Sequence, residues 1–162
     1  MMGTLLNVLV SSVWAGVAAV GFAVLFNAPK RALITVFGLG TGAGIIKFGL
    51  MHIGLNVILS SFIAAVFVGI LSMPLSHRIH KPPVVFSIPP VIPMIPGYFA
   101  YETILSIMKF TFMETDPVKK IDLINAIFYN GFTMLFVLMA ITIGVSFPML
   151  LLRRNSVKKI EA

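Results

Sequence analysis

Residues 82–97 read Pro-Pro-Val-Val-Phe-Ser-Ile-Pro-Pro-Val-Ile-Pro-Met-Ile-Pro-Gly, so six prolines interrupt a stretch that is otherwise apolar. Proline removes a backbone N–H and breaks the helical hydrogen-bond ladder, and the freed carbonyls cannot be left bare in lipid. Such a segment is tolerated in a membrane protein where it is buried in protein or lines a polar cavity. Interrupted apolar segments are also the best sequence indicator of a transporter's binding site. The stretch therefore predicts a membrane protein that moves a solute.

The composition of the whole chain also favours a bilayer. Of its 162 residues 59% are hydrophobic and 10% are charged, and the mean hydropathy is +1.05, all far outside the soluble range. The net charge of +7 comes from cations at the ends of apolar runs, where membrane proteins place them. We therefore predict no nucleic-acid partner. With no cysteine, no catalytic Ser/His/Asp set and no paired carboxylates, we predict neither an enzyme nor a cofactor.

Five segments are long enough to span a bilayer, which takes about 20 apolar residues. They cover residues 5–26, 32–51, 53–76, 84 to about 110, and 116 or 117 to 152. The second is short and glycine-rich, so four spans remain an alternative. The fourth is broken, with a helix restarting at Gly97, and the fifth starts at Asp116, a good N-cap followed by Pro117. We predict an all-α integral membrane protein with four to five transmembrane helices, one domain over 1–162, and a basic cytoplasmic tail at 153–162.

The distribution of cations predicts the orientation. One side holds Lys30, Arg31, Arg78, Lys81, Arg153, Arg154, Lys158 and Lys159, and the other holds Lys47, Lys109, Lys119 and Lys120. Because cytoplasmic loops carry the excess of Lys and Arg, five spans place the N-terminus outside and the C-terminus in the cytoplasm. The chain shows no internal repeat, and many secondary transporters build their site between two repeats. We therefore expect half of a transporter.

The restart of the fourth segment is the candidate binding site. A helix that begins at Gly97 has free first-turn amides, which favour an anionic group such as a carboxylate. Tyr98, Tyr101 and Glu102 fall on one face of this helix. The alternative is a kinked helix that only packs. The predicted substrate-binding residues are Pro93, Pro96, Gly97, Tyr98, Tyr101 and Glu102.

Two charges are expected inside the membrane, where a charge is a functional hypothesis by default. For Glu102, proton or substrate handling and an ion pair with a basic residue both stay open. For Lys47, near the end of the second span, we predict that the side chain snorkels to the interface.

A glycine run, Gly38-Leu39-Gly40-Thr41-Gly42-Ala43-Gly44, superficially matches a dinucleotide-binding fingerprint. That fingerprint needs an acidic residue about 20 positions on, and Ser60 and Ser61 lie there instead. Small residues four apart mark close helix contacts in membranes. The run therefore predicts helix packing through Gly38, Gly42 and Gly44.

Three further polar pairs need an interpretation. His77 and His80 have no third ligand nearby, so we predict a basic interface loop and no metal site. Asn56 with Ser60, and Asn130 with Thr133, are polar pairs inside spans. We predict interhelical hydrogen bonds for them, with a place on a transport pathway as the alternative.

Several motifs resemble those of a known family. They are Ala19–Leu33, which contains Asn27-Ala28-Pro29-Lys30-Arg31, then Gly54-Leu55-Asn56, His80-Lys81-Pro82-Pro83-Val84-Val85-Phe86, and Val91-Ile92-Pro93-Met94-Ile95-Pro96-Gly97 followed by Tyr101. With these motifs the chain resembles the threonine/serine exporter (ThrE) family. More narrowly, it is similar to the small YjjB-like subunit, which corresponds to the C-terminal half of the single-chain exporters. The resemblance covers roughly residues 20–150.

The resemblance implies export of small carboxylate metabolites across the bacterial inner membrane, by secondary transport with proton coupling left open. Candidate substrates are threonine, serine and dicarboxylates such as succinate. It also implies a larger membrane subunit as partner, with homo-oligomerisation within the complex left open. Matching motifs carry over Asn27, Pro29 and Arg31 as one signature, with Arg31 as an interface anchor or gate cation, and Pro93, Pro96, Gly97 and Tyr101 as the other. The alternative function is a scaffold that stabilises the larger transport subunit.

Overall fold

The structure is a computed structural model that describes the backbone of residues 2–157 and the side chains of residues 5–151. Its six helices are α1 (Met2–Leu25), α2 (Lys30–His52), α3 (Val57–Ile79), α4 (Val84–Val91), α5 (Gly97–Met108) and α6 (Pro117–Val157). A 3₁₀ turn, Ile92–Met94, follows α4, and a π-helical turn, Lys109–Met113, follows α5. There is no strand between residues 2 and 157. The predicted tail at 153–162 lies largely outside the described side chains.

Four helices are long and apolar enough to cross a membrane. They are Leu5–Leu25, Lys30–His52, Val57–Ile79 and Pro117–Leu151, and the broken pair Val84–Met94 with Gly97–Met113 makes a fifth. The prediction of an all-α membrane protein with four to five spans is confirmed. The second span, which the four-span alternative would omit, is a full helix in the structure.

The ends of the helices follow local chemical signals. The Asn56 side-chain oxygen accepts the Ile58 N–H at 2.9 Å and caps α3. The Asp116 side chain accepts the Val118 N–H at 2.9 Å, which caps α6 as predicted. The Ser60 hydroxyl donates to the Asn56 carbonyl at 2.9 Å, a bond between residues of one helical turn. The interhelical role predicted for Asn56 and Ser60 is therefore wrong, because both side chains are used at the start of their own helix.

The chain forms two compact units, one of Met1–Met94 with Ala140–Ala162, and one of Ile95–Met139. In the first unit α4 packs against α1, α2 and α3. Phe86 of α4 is completely buried and belongs to a cluster with residues of α1 and α2. The buried members of this cluster are Ala19, Ala23, Ala32, Val36, Leu39 and Phe86. The proline-rich helix is therefore part of the core of this unit.

Small residues bring α1 and α2 into close contact. A Cβ added to Gly40 would lie 2.7 Å from the Cβ of Ala19, and one added to Gly44 would lie 2.9 Å from the Cα of Ser12. A Cβ added to Gly42 would meet the Phe67 ring of α3 at 3.0 Å. Close backbone approach through small residues is the usual way in which membrane helices associate.

Gly38 differs from its neighbours in the glycine run. No atom of a neighbouring element lies within 4 Å of a Cβ added there. Of the three glycines predicted to pack, Gly42 and Gly44 therefore lie against neighbouring helices, whereas Gly38 faces open space. The spacing of the glycines did not predict the close contact of Gly40 with Ala19 of α1.

A second close crossing of helices joins α3 to the last part of α6. A Cβ added to Gly69 would lie 2.7 Å from the Val145 carbonyl oxygen, and one added to Gly144 would lie 2.9 Å from the Cβ of Ala65. The two glycines allow the helices of the first unit to cross with their backbones nearly in contact.

The second unit consists of α5, the π-helical turn and the first part of α6. Here Thr103 of α5 faces Gly131 of α6. A Cβ added to Gly131 would lie 3.7 Å from the Cγ2 atom of Thr103. The Lys120 ammonium lies 5.6 Å from the centre of the Phe110 ring, within the range of a cation–π interaction. Most of the large apolar side chains of this unit are exposed, as expected for a surface that faces lipid or another protein.

Candidate functional site at the helix break

The six prolines occupy different positions in the structure, and the first of them, Pro82, precedes α4. Pro83 is the N-cap of α4, and Pro89 and Pro90 lie inside this helix. Pro93 lies in the 3₁₀ turn, and Pro96 is the N-cap of α5 with φ −79° and ψ 62°. The predicted restart of the helix at Gly97 is confirmed. The chain therefore tolerates two consecutive prolines within α4 and breaks only at Ile95 and Pro96.

These prolines leave backbone carbonyls without their usual donors. A helical proline at position i removes the N–H that would bond the carbonyl at position i−4. Pro89 and Pro90 therefore leave the carbonyls of Val85 and Phe86 without their helical donors. The last carbonyls of any helix lack such donors as well. In a membrane protein neighbouring side chains and ordered waters satisfy these groups. A donor side chain near the break is therefore required by the fold.

Lys47 of α2 is such a donor. Its ammonium donates to the carbonyl of Met94, the last residue of the 3₁₀ turn, at 2.9 Å. The Lys47 side chain is only 8% exposed. The predicted snorkelling of Lys47 is therefore wrong, because the side chain points inward and bonds a carbonyl freed at the end of the α4 segment. Two sequence features could have indicated this: a lysine within a span, and a proline-broken segment that needs donors.

The first unit offers Lys47 no carboxylate among its described residues. Residues 1–94 and 140–151 contain neither Asp nor Glu. An ammonium in apolar surroundings carries a large desolvation cost unless it is bonded. In this part of the chain, the Met94 carbonyl is the one hydrogen-bond partner found for Lys47.

A second buried polar group lies on α3. Ser61 of α3 is completely buried, and its hydroxyl has no hydrogen-bond partner among residues 5–151. Lys47 lies five residues before the end of α2, and Ser61 lies four residues after the start of α3. At 1.5 Å per residue, both lie roughly 6–8 Å from the connection between the two helices, which pack against each other.

The residues predicted at the start of α5 are mostly open to the surroundings. Tyr98 is 67% exposed and Tyr101 is 61% exposed, and Gly97 has open space around it. Glu102 is half-buried. Pro96 is buried but supplies no side-chain cap, so the first-turn amides of α5 have no capping side chain.

The remaining predicted residues lie in the first unit. Pro93 is half-buried in the 3₁₀ turn. Asn27 adopts a positive φ of 55° at the end of α1, and Pro29 is the N-cap of α2. Arg31 is exposed in the first turn of α2. The Asn27 to Arg31 motif therefore forms the connection between α1 and α2, with its cation at the surface.

Four cavities have been located, two in each unit. The largest in the first unit, about 650 Å³, is lined by Met73, Ser76, His77, Pro83, Val84, Ser146, Met149 and Leu150. In the second unit, one of about 660 Å³ is lined by Lys109, Met113, Glu114, Lys119, Asp122, Leu123 and Ala126. None of these four cavities is lined by residues 93–101. Within residues 5–151, no three His, Asp or Glu side chains lie close enough to hold a metal ion.

Comparison with known proteins gives a family match and matches to related sequences. Residues 11–151 match the family model described as "Threonine/Serine exporter, ThrE". The chain is also 31% identical, over 151 residues, to a protein of Haemophilus influenzae described as uncharacterized. This match covers 93% of the chain and 50% of the relative, so the chain spans about half the length of this curated relative. No solved structure matches the chain.

Proposed function

Because this chain belongs to the threonine/serine exporter (ThrE) family, we propose that it is a subunit of an exporter of small carboxylate metabolites. The chain is a multi-pass membrane protein, and membrane transport is the activity that its family's name describes. Threonine and serine are the first candidate substrates, and succinate represents the dicarboxylates.

We place the transport path at the break between α4 and α5. The observation that carries this proposal is the uncapped start of α5 at Gly97, in a segment whose backbone is interrupted at membrane depth. Of the amides at this start, those of Gly97 and Ala100 donate to the carbonyls of Ile95 and Pro96. The amides of Tyr98 and Phe99 would favour a carboxylate, and the exposed Tyr98 or Tyr101 would donate a further hydrogen bond to it. Glu102, half-buried on the same helix, is the candidate for proton or substrate handling.

The proposal includes a larger membrane subunit as partner. The relative from Haemophilus influenzae contains about as much sequence outside the match as within it. A larger partner subunit, corresponding to the part of that relative outside the match, would complete a transport path of which this chain supplies one side. The exposed apolar surface of the second unit is available to such a partner.

The proposed location is the bacterial inner membrane, with the N-terminus outside. Exposed cations lie at two places. Lys30 and Arg31 are at the start of α2, and Arg78 in the last turn of α3 and Lys81 just after it lie at the other. The start of one helix and the end of the next lie on the same side of a membrane that both helices cross. Under the positive-inside rule this side is cytoplasmic, and there Arg31 would serve as an interface anchor or gate cation.

Export from loaded cells tests the function. A host without its own exporters would carry this chain, the larger subunit, or both, and would be loaded with threonine, serine or succinate. We expect export only with both chains, and its loss on Gly97→Leu or Tyr101→Phe in complexes that still assemble. Gly38→Leu and Tyr129→Phe are matched controls, because Gly38 also faces open space and Tyr129 is 70% exposed on α6.

A scaffold function is the second candidate, and one observation favours it. Pro89 and Pro90 are completely buried and Met94 is 3% exposed, so the α4 side of the break is packed within the chain. A scaffold would use this packing to support the larger subunit, and the substrate would pass through that subunit only. Export by the larger subunit alone would establish the scaffold function and rule out a site at Gly97.

A further inference from the structure

We propose that Lys47 is the internal cation that binds the carboxylate of the exported metabolite. This inference rests on the proposed export function and names the group that selects the substrate class. The site consists of the Lys47 ammonium and the Met94 carbonyl to which it is bonded, and the proposal adds the Ser61 hydroxyl of the neighbouring helix α3 as a further donor.

The direction of the Lys47 side chain is the first argument. A lysine roughly 8 Å from the end of a helix is near enough to the interface for its ammonium to snorkel into water. In the structure the side chain is instead 8% exposed and reaches the Met94 carbonyl at 2.9 Å. A single carbonyl compensates only part of the desolvation of an ammonium. The inward position therefore leaves hydrogen-bonding capacity of the ammonium that a ligand would fill.

The unfilled hydrogen-bonding capacity of the site is the second argument. An ammonium has three donors, and one of them is used on Met94. On α3, which packs against α2, the buried Ser61 hydroxyl has no partner among residues 5–151. A carboxylate would accept from both groups, and charge-assisted bonds of this kind are about twice as strong as neutral ones.

The absence of a competing anion is the third argument. The described residues of the first unit contain neither Asp nor Glu, so no carboxylate from residues 5–94 or 140–151 can neutralise Lys47. A buried cation without a counter-charge attracts anions and not neutral solutes. The ligand class is therefore a small molecule with a free carboxylate.

The bond to Met94 also gives the site a means of coupling. Met94 lies three positions before Gly97, at which the helix restarts. A carboxylate that competes for the ammonium weakens the bond that holds the end of the α4 segment. Binding of the substrate would then release the end of the α4 segment within the first unit.

Thermal unfolding of the purified complex tests this inference. The probes are threonine and succinate, together with threoninamide and succinamide, which lack the free carboxylate. We expect both carboxylates to raise the Tm of the wild type and the amides to leave it unchanged. An equal rise with the amides would overturn the inference, whether or not any variant folds.

The variants are Lys47→Gln, which removes the charge and keeps an N–H donor, and Lys47→Arg, which keeps the charge. We expect Lys47→Gln to weaken carboxylate binding by at least about tenfold and Lys47→Arg to retain part of it. Lys30→Gln is the matched control, because Lys30 is exposed on the same helix. A Lys47→Gln complex that unfolds at a lower temperature but keeps the full response to carboxylates would overturn the inference and leave Lys47 as a structural residue.

Export by the same variants separates this inference from the proposed function. Wild-type export with undiminished export by Lys47→Gln would overturn the role of Lys47 and leave the export function intact. A carboxylate-specific, Lys47-dependent rise in Tm without any wild-type export would support the binding site and contradict the export function.

Discussion

The helix α4 and the first turn of α5 come from one proline-rich stretch, yet their surroundings are opposite. Phe86, Pro89 and Pro90 of α4 are completely buried, whereas Tyr98 and Tyr101 of α5 are 67% and 61% exposed. The prolines of α4 therefore belong to a packed core, and the chain itself provides Lys47 as a donor at its end. The start of α5 is left for lipid, a partner or a substrate. Proline content alone does not distinguish these roles, and burial does.

The largest change in the free energy of unfolding is expected for the buried helix α4. Phe86→Ala removes a completely buried ring of α4, and such truncations in a core cost about 3–5 kcal/mol. The free energy of unfolding in detergent micelles would measure this loss. Phe112→Ala is the control, because Phe112 is 80% exposed, and an equal loss for both would contradict the assignment of α4 to the core.

An intermediate effect on the free energy of unfolding is expected in the glycine run of α2, which also contains one position in close contact and one that faces open space. Gly40→Leu forces a side chain into the contact with Ala19, and overpacking of this kind costs about 1–3 kcal/mol. Gly38→Leu points into open space and should leave the free energy of unfolding nearly unchanged. Equal stability of the two variants would show that α1 and α2 do not pack as described.

The smallest effect on stability is expected on the exposed side. Tyr98→Phe and Tyr101→Phe remove hydroxyls of exposed side chains, so the free energy of unfolding should change by no more than about 0.5 kcal/mol. Export should fall nonetheless in the variant whose missing hydroxyl donates to the substrate. A loss of stability larger than this in either variant would indicate a structural role for the start of α5.

The sequence was sufficient for the features that depend on local chemistry. Asp116 and Pro117 predicted the start of α6, and Pro96 and Gly97 predicted the restart at α5, because capping and helix breaking involve only a few neighbouring residues. The spans were found because a bilayer requires long apolar segments. Each of these signals is contained within a few turns of the chain.

The sequence was insufficient where the outcome depends on which helices meet. Lys47 could reach either the interface or the interior, and only the position of the Met94 carbonyl decides between them. In the glycine run, the pattern could not show that Gly40 and not Gly38 faces α1. The partner of Ser60 was missed for a different reason, since its hydroxyl bonds the Asn56 carbonyl within its own helical turn.

The central claim is that the helix break of this chain forms part of a transport path, and export by Gly97→Leu tests it most directly. Cells that carry both subunits would be loaded with threonine or succinate, and Gly97→Leu would be compared with Gly38→Leu at equal levels of assembled complex. The account predicts that Gly97→Leu abolishes export and that Gly38→Leu exports like the wild type. Equal export by the two variants would contradict the account.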